Sequence, residues 1–357
     1  MRIGIDMRMA GTGEGIGRYI EEIVRHLGQI DRENEYFLLV NKFSIFNFQF
    51  SNFKQVEVKS RYYSPAEQTR FIFELLKLKL DLVHFPSFNV PIFYPGRFVV
   101  TIHDLIHHFY PGKKKSRWFH RLAYKFVMWF AIHRASTIIA VSQTTKRDIM
   151  DGFGVSEKKI RVIYEAVDKK FFEPVSAQKA EAMKRKYGIT KPFFLFCGVW
   201  RQYKNLPKLA RAFDILKERG FDYQLVLAGK IDSFNPEIRE EVFSIKNASD
   251  VLALGFVPEE DLPALYHEAA AFVLPSLMEG FGLITLEAQA AGALVVCSDI
   301  PVLHEILGDS AWYFDPTDEK QMARVIADAL AAGKAGALPR RYDWSEAAKQ
   351  TLESYKS

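Results

Sequence analysis

The chain alternates short apolar runs with longer amphipathic stretches. Most of the runs carry no charge and predict strands that a parallel sheet buries on both faces. They are residues 2–6, 36–40, 82–85, 98–102, 136–141, 160–163, 193–197, 224–229 and 251–255. Between them apolar positions recur at helical spacing, as Ile20, Ile23 and Leu27 do after the first run. This alternation of strand and helix predicts an α/β architecture.

The pattern restarts near residue 193, which predicts two domains. Length and composition agree, because 357 residues with 48% apolar and 25% charged side chains are too many for one small domain. Ser142 and Gly154 are typical of the start and end of a helix in the first domain. We expect a first domain over residues 1–170, a linker over 171–190, a second domain over 191–342 and a closing helix over 343–357.

Composition and charge limit the partners and the compartment. The net charge of +5 is modest for this length, so we expect no nucleic-acid partner. No amino-terminal signal precedes the first strand, and the apolar run 126–132 is far shorter than the roughly 20 residues that span a bilayer. Cys197 and Cys297 lie in apolar runs, as buried thiols do in a reducing compartment. We therefore expect a cytoplasmic protein, at most peripheral on the inner face of the membrane.

A glycine-rich loop follows the first strand, with glycines at 11, 13, 15 and 17. No register gives Gly-x-Gly-x-x-Gly, and the second strand ends at Asn41 rather than at an acidic residue, which disfavours a nicotinamide enzyme. No Gly-x4-Gly-Lys-Ser/Thr motif occurs either. The loop is therefore either a ligand-binding turn at a strand–helix junction or a flexible surface turn.

Residues 274–299 predict a strand end, a glycine turn, a helix and a second strand. Gly280 and Gly282 precede the helix, which begins near Leu283, so the first backbone N–H groups of the helix can bind a small anion. Glu279 stands in the turn and Glu287 on the helix. A diphosphate at the helix end, with a hydroxylated ring on each side, would use the glycines and both carboxylates.

Each of these carboxylates has an alternative interpretation. Helical spacing places Glu287 in the apolar arc of its helix, away from Thr285 and Gln289. A carboxylate buried there needs a donor from the protein or from a ligand, whereas at the rim of the arc it would reach solvent. Glu279 could simply complement the helix dipole.

Several short motifs follow one another in this half of the chain. They are Pro275-Ser276, Glu279-Gly280-Phe281-Gly282, Glu287-Ala288, Gly292, Pro301 to Glu305 and Phe314-Asp315-Pro316. Their order resembles the donor site of the retaining glycosyltransferases of family four, the glycosyl transferases group 1, and is most similar to bacterial mannosyltransferases. The resemblance extends over nearly the whole chain. It implies the GT-B fold, in which two Rossmann-like domains face each other across a cleft and the last helix crosses back to the first domain.

The resemblance also implies a reaction. A hexose, with mannose from GDP-mannose as the preferred choice, would move from a nucleoside diphosphate sugar to a hydroxyl of a glycan or lipid-linked acceptor, with retention of configuration, in polysaccharide or glycolipid biosynthesis. UDP- or dTDP-sugar donors stay open, as do a non-catalytic sugar-nucleotide-binding protein and a GT-B phosphorylase. No Asp-x-Asp pair occurs to chelate a metal-bound diphosphate, so we expect no metal or other cofactor.

Individual residues acquire roles from the same resemblance. His103 would approach the donor sugar, and Glu279 would hold sugar hydroxyls. Arg201 and Lys204 would neutralise the departing diphosphate. Donor binding is implied for Gly15, Gly17, Phe256, Val257, Gly280, Phe281, Gly282, Leu283 and Glu287. The acceptor side comprises Arg18, Tyr19 and Asp104.

Two positions depart from the family pattern. Arg201 stands at a slightly different offset from Gly198 than in many members. Ala166, in Tyr164-Glu165-Ala166-Val167-Asp168, replaces a glycine that the family has after Asn or Glu. That replacement puts the usual backbone turn in doubt but not the domain boundary.

Cationic and aromatic residues concentrate at 113–126, in one predicted helix. This composition suits the interface of an anionic membrane, where the helix would bring the protein to a lipid-linked acceptor. The alternative is a solvated basic face whose aromatic side chains fill the core.

Overall fold

The computed structural model describes residues 1–12, 15–41, 50–110, 118–333, 336–338 and 342–356. This part of the chain divides into two compact units. The first contains residues 1–108, 118–166 and 342–356, and the second contains residues 109–110, 167–333 and 336–338. Each unit has its own parallel sheet.

The strands of the first unit are β1 (Arg2–Asp6), β2 (Glu35–Val40), β3 (Phe53–Glu57), β4 (Leu82–Phe85), β5 (Phe98–Ile102), β6 (Thr137–Ala140) and β7 (Ile160–Val162). They form one parallel sheet in the order β3-β2-β1-β4-β5-β6-β7. The helices that connect them are α1 (Gly15–Ile30), α2 (Arg70–Lys77), α3 (Ile106–Phe109), α4 (Trp118–Arg134) and α5 (Gln143–Phe153). The central strands β4, β5 and β6 are buried throughout, as their apolar runs predict.

The strands of the second unit are β8 (Phe193–Cys197), β9 (Gln224–Ala228), β10 (Val251–Gly255), β11 (Ala271–Leu274), β12 (Val295–Ser298) and β13 (Trp312–Phe314). Their order in the sheet is β10-β9-β8-β11-β12-β13. The helices are α6 (Ala177–Tyr187), α7 (Leu206–Glu218), α8 (Pro236–Phe243), α9 (Leu262–Glu268), α10 (Leu283–Ala290), α11 (Pro301–Leu307) and α12 (Glu319–Ala332).

The strand order reverses at one point in each sheet. In the first sheet this point lies between β1 and β4, where Ile3 pairs with Tyr36 on one side and Leu82 on the other. In the second sheet it lies between β8 and β11, where Ala271 pairs with Phe194. Loops that leave neighbouring strands in opposite directions open a crevice at the carboxyl ends of the strands, and ligands of α/β proteins bind there.

The sequence predicts elements with strong local signals and misses two strands at the sheet edges. Helix α5 has the predicted bounds, because the Thr145 N–H donates to Ser142 Oγ over 2.9 Å and Gly154 closes the helix at φ +66°. The apolar pattern does not predict β3 or β13. Both are edge strands. β3 contains charged residues and has no buried position, and β13 is only three residues long, so neither gives a long apolar run.

The last helix, α13 (Trp344–Lys356), packs against α1 in the first unit. Its Tyr355 is fully buried, and the Tyr355 hydroxyl lies 2.8 Å from Nδ1 of His84 on β4. The helix thus contributes directly to the core of the first unit.

Candidate active site

The loops that follow β8 and β11 bring Lys204 and Glu279 together at the reversal point of the second sheet. Lys204 ends a short 3₁₀ turn, Gln202–Lys204, and Glu279 lies in the turn before α10. Lys204 Nζ donates to Glu279 Oε1 over 2.6 Å, and each side chain is only 10% exposed. The predicted diphosphate cation and the predicted sugar-binding carboxylate therefore form an ion pair with each other.

Asn205 fixes the position of these loops. Its backbone is left-handed at φ +57°, a conformation that asparagine tolerates better than most residues. Its Nδ2 donates to the carbonyls of Pro275, over 3.1 Å, and Pro316, over 2.7 Å. These bonds join the loops after β8, β11 and β13. The sequence predicts no role for Asn205, and its bridging role emerges from the fold.

Arg201 supplies a second cation at this edge of the sheet. It precedes the 3₁₀ turn in extended conformation and is half-buried. Among the residues that the structure describes, its side chain forms no hydrogen bond or ion pair, although its carbonyl accepts from the Lys204 N–H over 2.9 Å. Its guanidinium can thus accept an anion without first leaving a protein carboxylate.

Helix α10 begins at a glycine that the local packing requires. Gly282 adopts φ +82°, and a Cβ there would lie 2.8 Å from Leu303 Cδ2. Its carbonyl accepts from both the N–H and the hydroxyl of Thr285. Gly280, Phe281 and Leu283 are buried around the same turn. The amino end of α10 carries the partial positive charge that favours an anion.

Glu287 is 1% exposed, so the interpretation that placed it at a solvent-accessible rim is wrong. Tyr266 Oη on α9 donates to Glu287 Oε2 over 3.3 Å. Thr285 and Gln289, which lie away from the apolar arc of α10, are buried too. Gln289 Nε2 donates to the carbonyls of Ser310 and Gly336, each over 3.0 Å. Neighbouring segments cover the helix on all sides, which helical periodicity alone does not reveal.

Phe256 and Val257 follow β10, as predicted, but they differ in exposure. Val257 is buried, whereas the Phe256 ring is exposed and lies 5.4 Å from Lys230 Nζ. Nearby, the N–H of Gly229 donates to the carbonyl of Gly255 over 2.7 Å. The exposed ring is the accessible apolar surface of this loop.

His103 lies at the carboxyl end of β5, between two acceptors. Its Nδ1 is 2.9 Å from Glu165 Oε1, and its Nε2 is 2.9 Å from the carbonyl of Pro86. A carboxylate and a carbonyl can only accept, so this geometry favours the imidazolium form, in which both ring nitrogens donate. Burial alone would lower the pKa of His103, but the bond and charge of Glu165 outweigh it and raise this pKa. Sequence reasoning missed Glu165, which it quoted only within a motif.

Tyr19 and Asp104 flank His103. The Tyr19 ring packs edge-on against the imidazole, with centroids 4.8 Å apart. Its buried hydroxyl lies 3.1 Å from Thr101 Oγ1, which is also 2.9 Å from Nε2 of His84. Asp104 Oδ1 accepts from the N–H of Ile106 over 2.8 Å. Tyr19 therefore supports the histidine from within the core.

The first turn of α1 holds the remaining predicted residues. Gly15 is exposed, Arg18 is half-buried and Gly17 is buried. A Cβ on Gly17 would lie 3.0 Å from the carbonyl of Met9, so glycine is needed where the loop packs on the helix. Across the residues that the structure describes, no cluster of three or more His, Cys, Asp or Glu side chains could hold a metal ion.

Comparison with solved structures defines the class of fold. The HepE protein of Anabaena, solved in complex with UDP and glucose, superposes with a TM-score of 0.73 over 100% of this chain and 99% of its own, at 15% identity. The GT-B fold predicted from the sequence is confirmed.

Sequence comparison then gives the family. The family model described as Glycosyl transferases group 1 matches residues 179–351, and that described as Glycosyltransferase Family 4 matches residues 13–171. The chain belongs to this family of glycosyltransferases.

Two curated relatives are mannosyltransferases of Escherichia coli. The serotype-specific mannosyltransferase WbdA is 30% identical over 291 residues, which cover 76% of this chain and 34% of WbdA. The chain thus spans about a third of that relative's length. The O-antigen chain mannosyltransferase B is 27% identical over 377 residues, which cover 96% of each chain.

Proposed function

We propose that the protein transfers a hexose from a nucleoside diphosphate sugar to a hydroxyl of a glycan or lipid-linked acceptor, in polysaccharide or glycolipid biosynthesis. The observation that carries this proposal is the arrangement at the reversal point of the second sheet. There, the glycine-capped amino end of α10 follows the loop that brings Glu279 against Lys204. An anion site beside a carboxylate and cations matches a sugar joined to a diphosphate.

In this proposal the diphosphate binds at the amino end of α10 and is neutralised by Arg201 and Lys204. Negative charge grows on the diphosphate as the sugar bond breaks, so cations held in place beforehand stabilise the transition state more than the ground state. Glu279 accepts hydrogen bonds from sugar hydroxyls. Glu287, buried beside Tyr266, is the ribose ligand.

The Lys204–Glu279 pair gives this mechanism a specific feature. Because the two side chains neutralise each other at 2.6 Å, a diphosphate must compete with Glu279 for the lysine. Donor binding then releases the carboxylate toward the sugar at the same time as the ammonium turns to the phosphate. Binding of the complete donor therefore makes Lys204 available to the diphosphate and Glu279 available to the sugar in one step.

In the first unit, His103 is the candidate contact to the donor sugar, oriented by Glu165 and by the ring of Tyr19. Gly15 and Gly17 offer backbone amides to the donor diphosphate. On the acceptor side stand Arg18 and Asp104, with Tyr19 acting through its packing on His103. No covalent nucleophile is assigned.

We infer that the donor is GDP-mannose, that the anomeric configuration is retained and that no metal ion is required. The names of the two mannosyltransferase relatives support mannose. A UDP-sugar is the second candidate donor, because HepE was solved in complex with UDP and glucose. Arg201, Lys204 and the α10 dipole together supply the positive charge that a metal ion provides in other transferases.

A panel of nucleotide sugars tests these assignments. The protein is incubated with GDP-mannose, UDP-glucose and a dTDP-sugar, with and without an α-linked manno-oligosaccharide, and the released nucleotide is measured. We expect release of GDP and an α-linked product, identified from its anomeric proton by NMR. Nucleotide binding without turnover would favour a non-catalytic binder, and release of a sugar phosphate from glycan would favour a phosphorylase.

Helix α4 supports the proposal that the protein reaches its acceptor at an anionic membrane surface. Lys113, Lys114 and Lys115 lie outside the described residues. The helix exposes Trp118, Leu122, Phe126 and Trp129. Spacings of four, four and three residues place these side chains on one face. Exposed Arg121 and Lys125 lie on the same helix. These large side chains are exposed and do not fill the core, and this combination suits insertion at the lipid interface.

Co-sedimentation with vesicles containing anionic phospholipid tests this surface. Combining Trp118→Ser with Phe126→Ser should lower the partition coefficient roughly ten-fold, because two large apolar side chains no longer insert. The matched control combines Phe73→Ser with Leu76→Ser, which removes two exposed apolar side chains from α2. Equal pelleting of all three proteins would refute the proposal. Along the part of the chain that the structure describes, no helix has the length and apolarity needed to cross a bilayer.

A further inference from the structure

Tyr63, in the loop after β3, combines a left-handed backbone with an exposed aromatic ring. Its φ is +56°, although it is not a glycine, and its side chain is 51% exposed. A bulky residue pays of order 1 kcal/mol or more for this conformation. Because half of the side chain stays exposed, packing recovers only part of that cost. Backbone strain combined with an accessible ring is characteristic of a binding site.

A buried network holds Tyr63 in this conformation. Glu67 Oε2 accepts from the Tyr63 N–H over 3.1 Å, and Glu67 Oε1 accepts from Arg8 Nη2 over 2.6 Å. Arg8 is itself held by Asp6, over 2.7 and 2.8 Å, and lies over the Phe71 ring. Arg8 and Glu67 are almost inaccessible to solvent. Burial of several charged groups is costly, and here one of their hydrogen bonds fixes the turn that presents the tyrosine.

The Tyr63 ring belongs to an aromatic cluster at the carboxyl-terminal edge of the first sheet. Its centroid lies 6.1 Å from that of Phe88, in the loop after β4, and Phe88 lies 5.2 Å from Tyr124 on α4. Asp104 follows β5, and the ring of His107, three residues later, lies 6.1 Å from that of Tyr124. Burial and the charge of Asp104 together raise the pKa of Tyr124. The connections that follow β3, β4 and β5 thus supply three aromatic rings and the Asp104 carboxylate.

We propose that Tyr63, Phe88 and Tyr124 form an acceptor subsite that packs against the C–H face of a pyranose ring, while Asp104 accepts hydrogen bonds from its hydroxyls. A pyranose has an apolar face and a polar rim, and aromatic rings flanked by a few polar groups complement both. The subsite rests on the proposed function, because it names the acceptor of that transfer as a glycan. Tyr63 is the accessible ring, and its fixed backbone reduces the entropy lost when the sugar binds.

Variants at Tyr63 separate the ring from the backbone strain. Tyr63→Ala removes the ring and keeps the strained backbone, Tyr63→Gly removes the ring and relieves the strain, and Tyr63→Phe keeps the ring. Phe73→Ala removes another exposed ring of the same unit, on α2. Binding of α-linked mannotriose to the full chain is measured by NMR without any donor, and the KM for the same acceptor is measured with the donor.

Tyr63→Ala and Tyr63→Gly should each weaken mannotriose binding and raise the acceptor KM roughly ten-fold, the usual scale when one aromatic ring is removed from an interface. Tyr63→Phe and Phe73→Ala should behave as wild type. Tyr63→Gly should unfold at no lower a urea concentration than wild type, which separates a binding defect from a folding defect. Unchanged binding by Tyr63→Gly, or no binding by wild type, would overturn the subsite. Failure of the nucleotide-sugar panel would instead overturn the proposed transferase, because mannotriose binding is measured without turnover.

Discussion

Replacing Glu279 with glutamine should separate nucleotide binding from sugar transfer. The substitution keeps the size of the side chain and removes the charge that Lys204 Nζ meets at 2.6 Å. At that separation, in an effective dielectric of about 20, the gross attraction is about 6 kcal/mol. Desolvation and the other bonds of the pair offset most of it. A diphosphate that binds wild-type protein must nevertheless displace this carboxylate, and in the variant it need not.

The net gain for the nucleotide should be about 1.5–3 kcal/mol, the usual contribution of a hydrogen bond to a charged group. The Kd for GDP should therefore fall by roughly 10- to 150-fold. Transfer should fall by about 100-fold or more, because the sugar loses a positioned, charged acceptor. The variant would thus bind the product nucleotide more tightly while turning over more slowly.

Isothermal titration with GDP and a nucleotide-release assay measure the two effects. Glu319→Gln is the matched control, since Glu319 pairs with Lys208 over 2.8 Å elsewhere in the second unit. The control should leave both GDP affinity and turnover unchanged. If Glu279→Gln bound GDP no more tightly than wild type, the proposed competition for Lys204 would be refuted. Unimpaired turnover would remove Glu279 from the sugar site.

Three further outcomes are expected. Glu165→Gln should lower the pKa of His103 and cost about 1–3 kcal/mol of stability. A group with a raised pKa stabilises the fold while it is protonated. The loss of stability in the variant should therefore be full below pH 6.5, the ordinary pKa of histidine, and should shrink as pH rises through the raised pKa. Urea unfolding at several pH values would contradict this if the difference in stability between wild type and variant grew with pH. Turnover should be the same in EDTA, and activity lost in chelator but restored by magnesium would disprove the metal-free proposal. Gly229→Ala should destabilise the protein by about 2–4 kcal/mol, because residue 229 has φ +131° and its Cβ would lie 2.0 Å from the Gly198 carbonyl oxygen. The control Gly152→Ala, in α5, should be neutral or slightly stabilising. Equal urea midpoints for the two variants would contradict this.

The sequence predicts most central strands and the glycine turn before α10 because those features are local. A buried parallel strand needs an apolar run, and a helix that binds an anion at its amino end needs glycines before it. Gly282 illustrates the second case, since it adopts the left-handed conformation at the start of α10. The edge strands β3 and β13 escape the same reasoning because β3 carries charged residues within it and β13 is only three residues long.

The sequence does not predict which side chains contact each other, because the order of strands in the sheet decides that. Lys204 and Glu279 are far apart along the chain and pair because β8 and β11 are neighbours in the sheet. His103 meets Glu165 because the segments after β5 and β7 end on the same edge of the sheet. Residue types and their spacing determined which groups were available. Tertiary structure alone decided that Lys204 is already paired, that both ring nitrogens of His103 face acceptors and that Tyr63 is held exposed, because non-local contacts set pairing, burial and orientation.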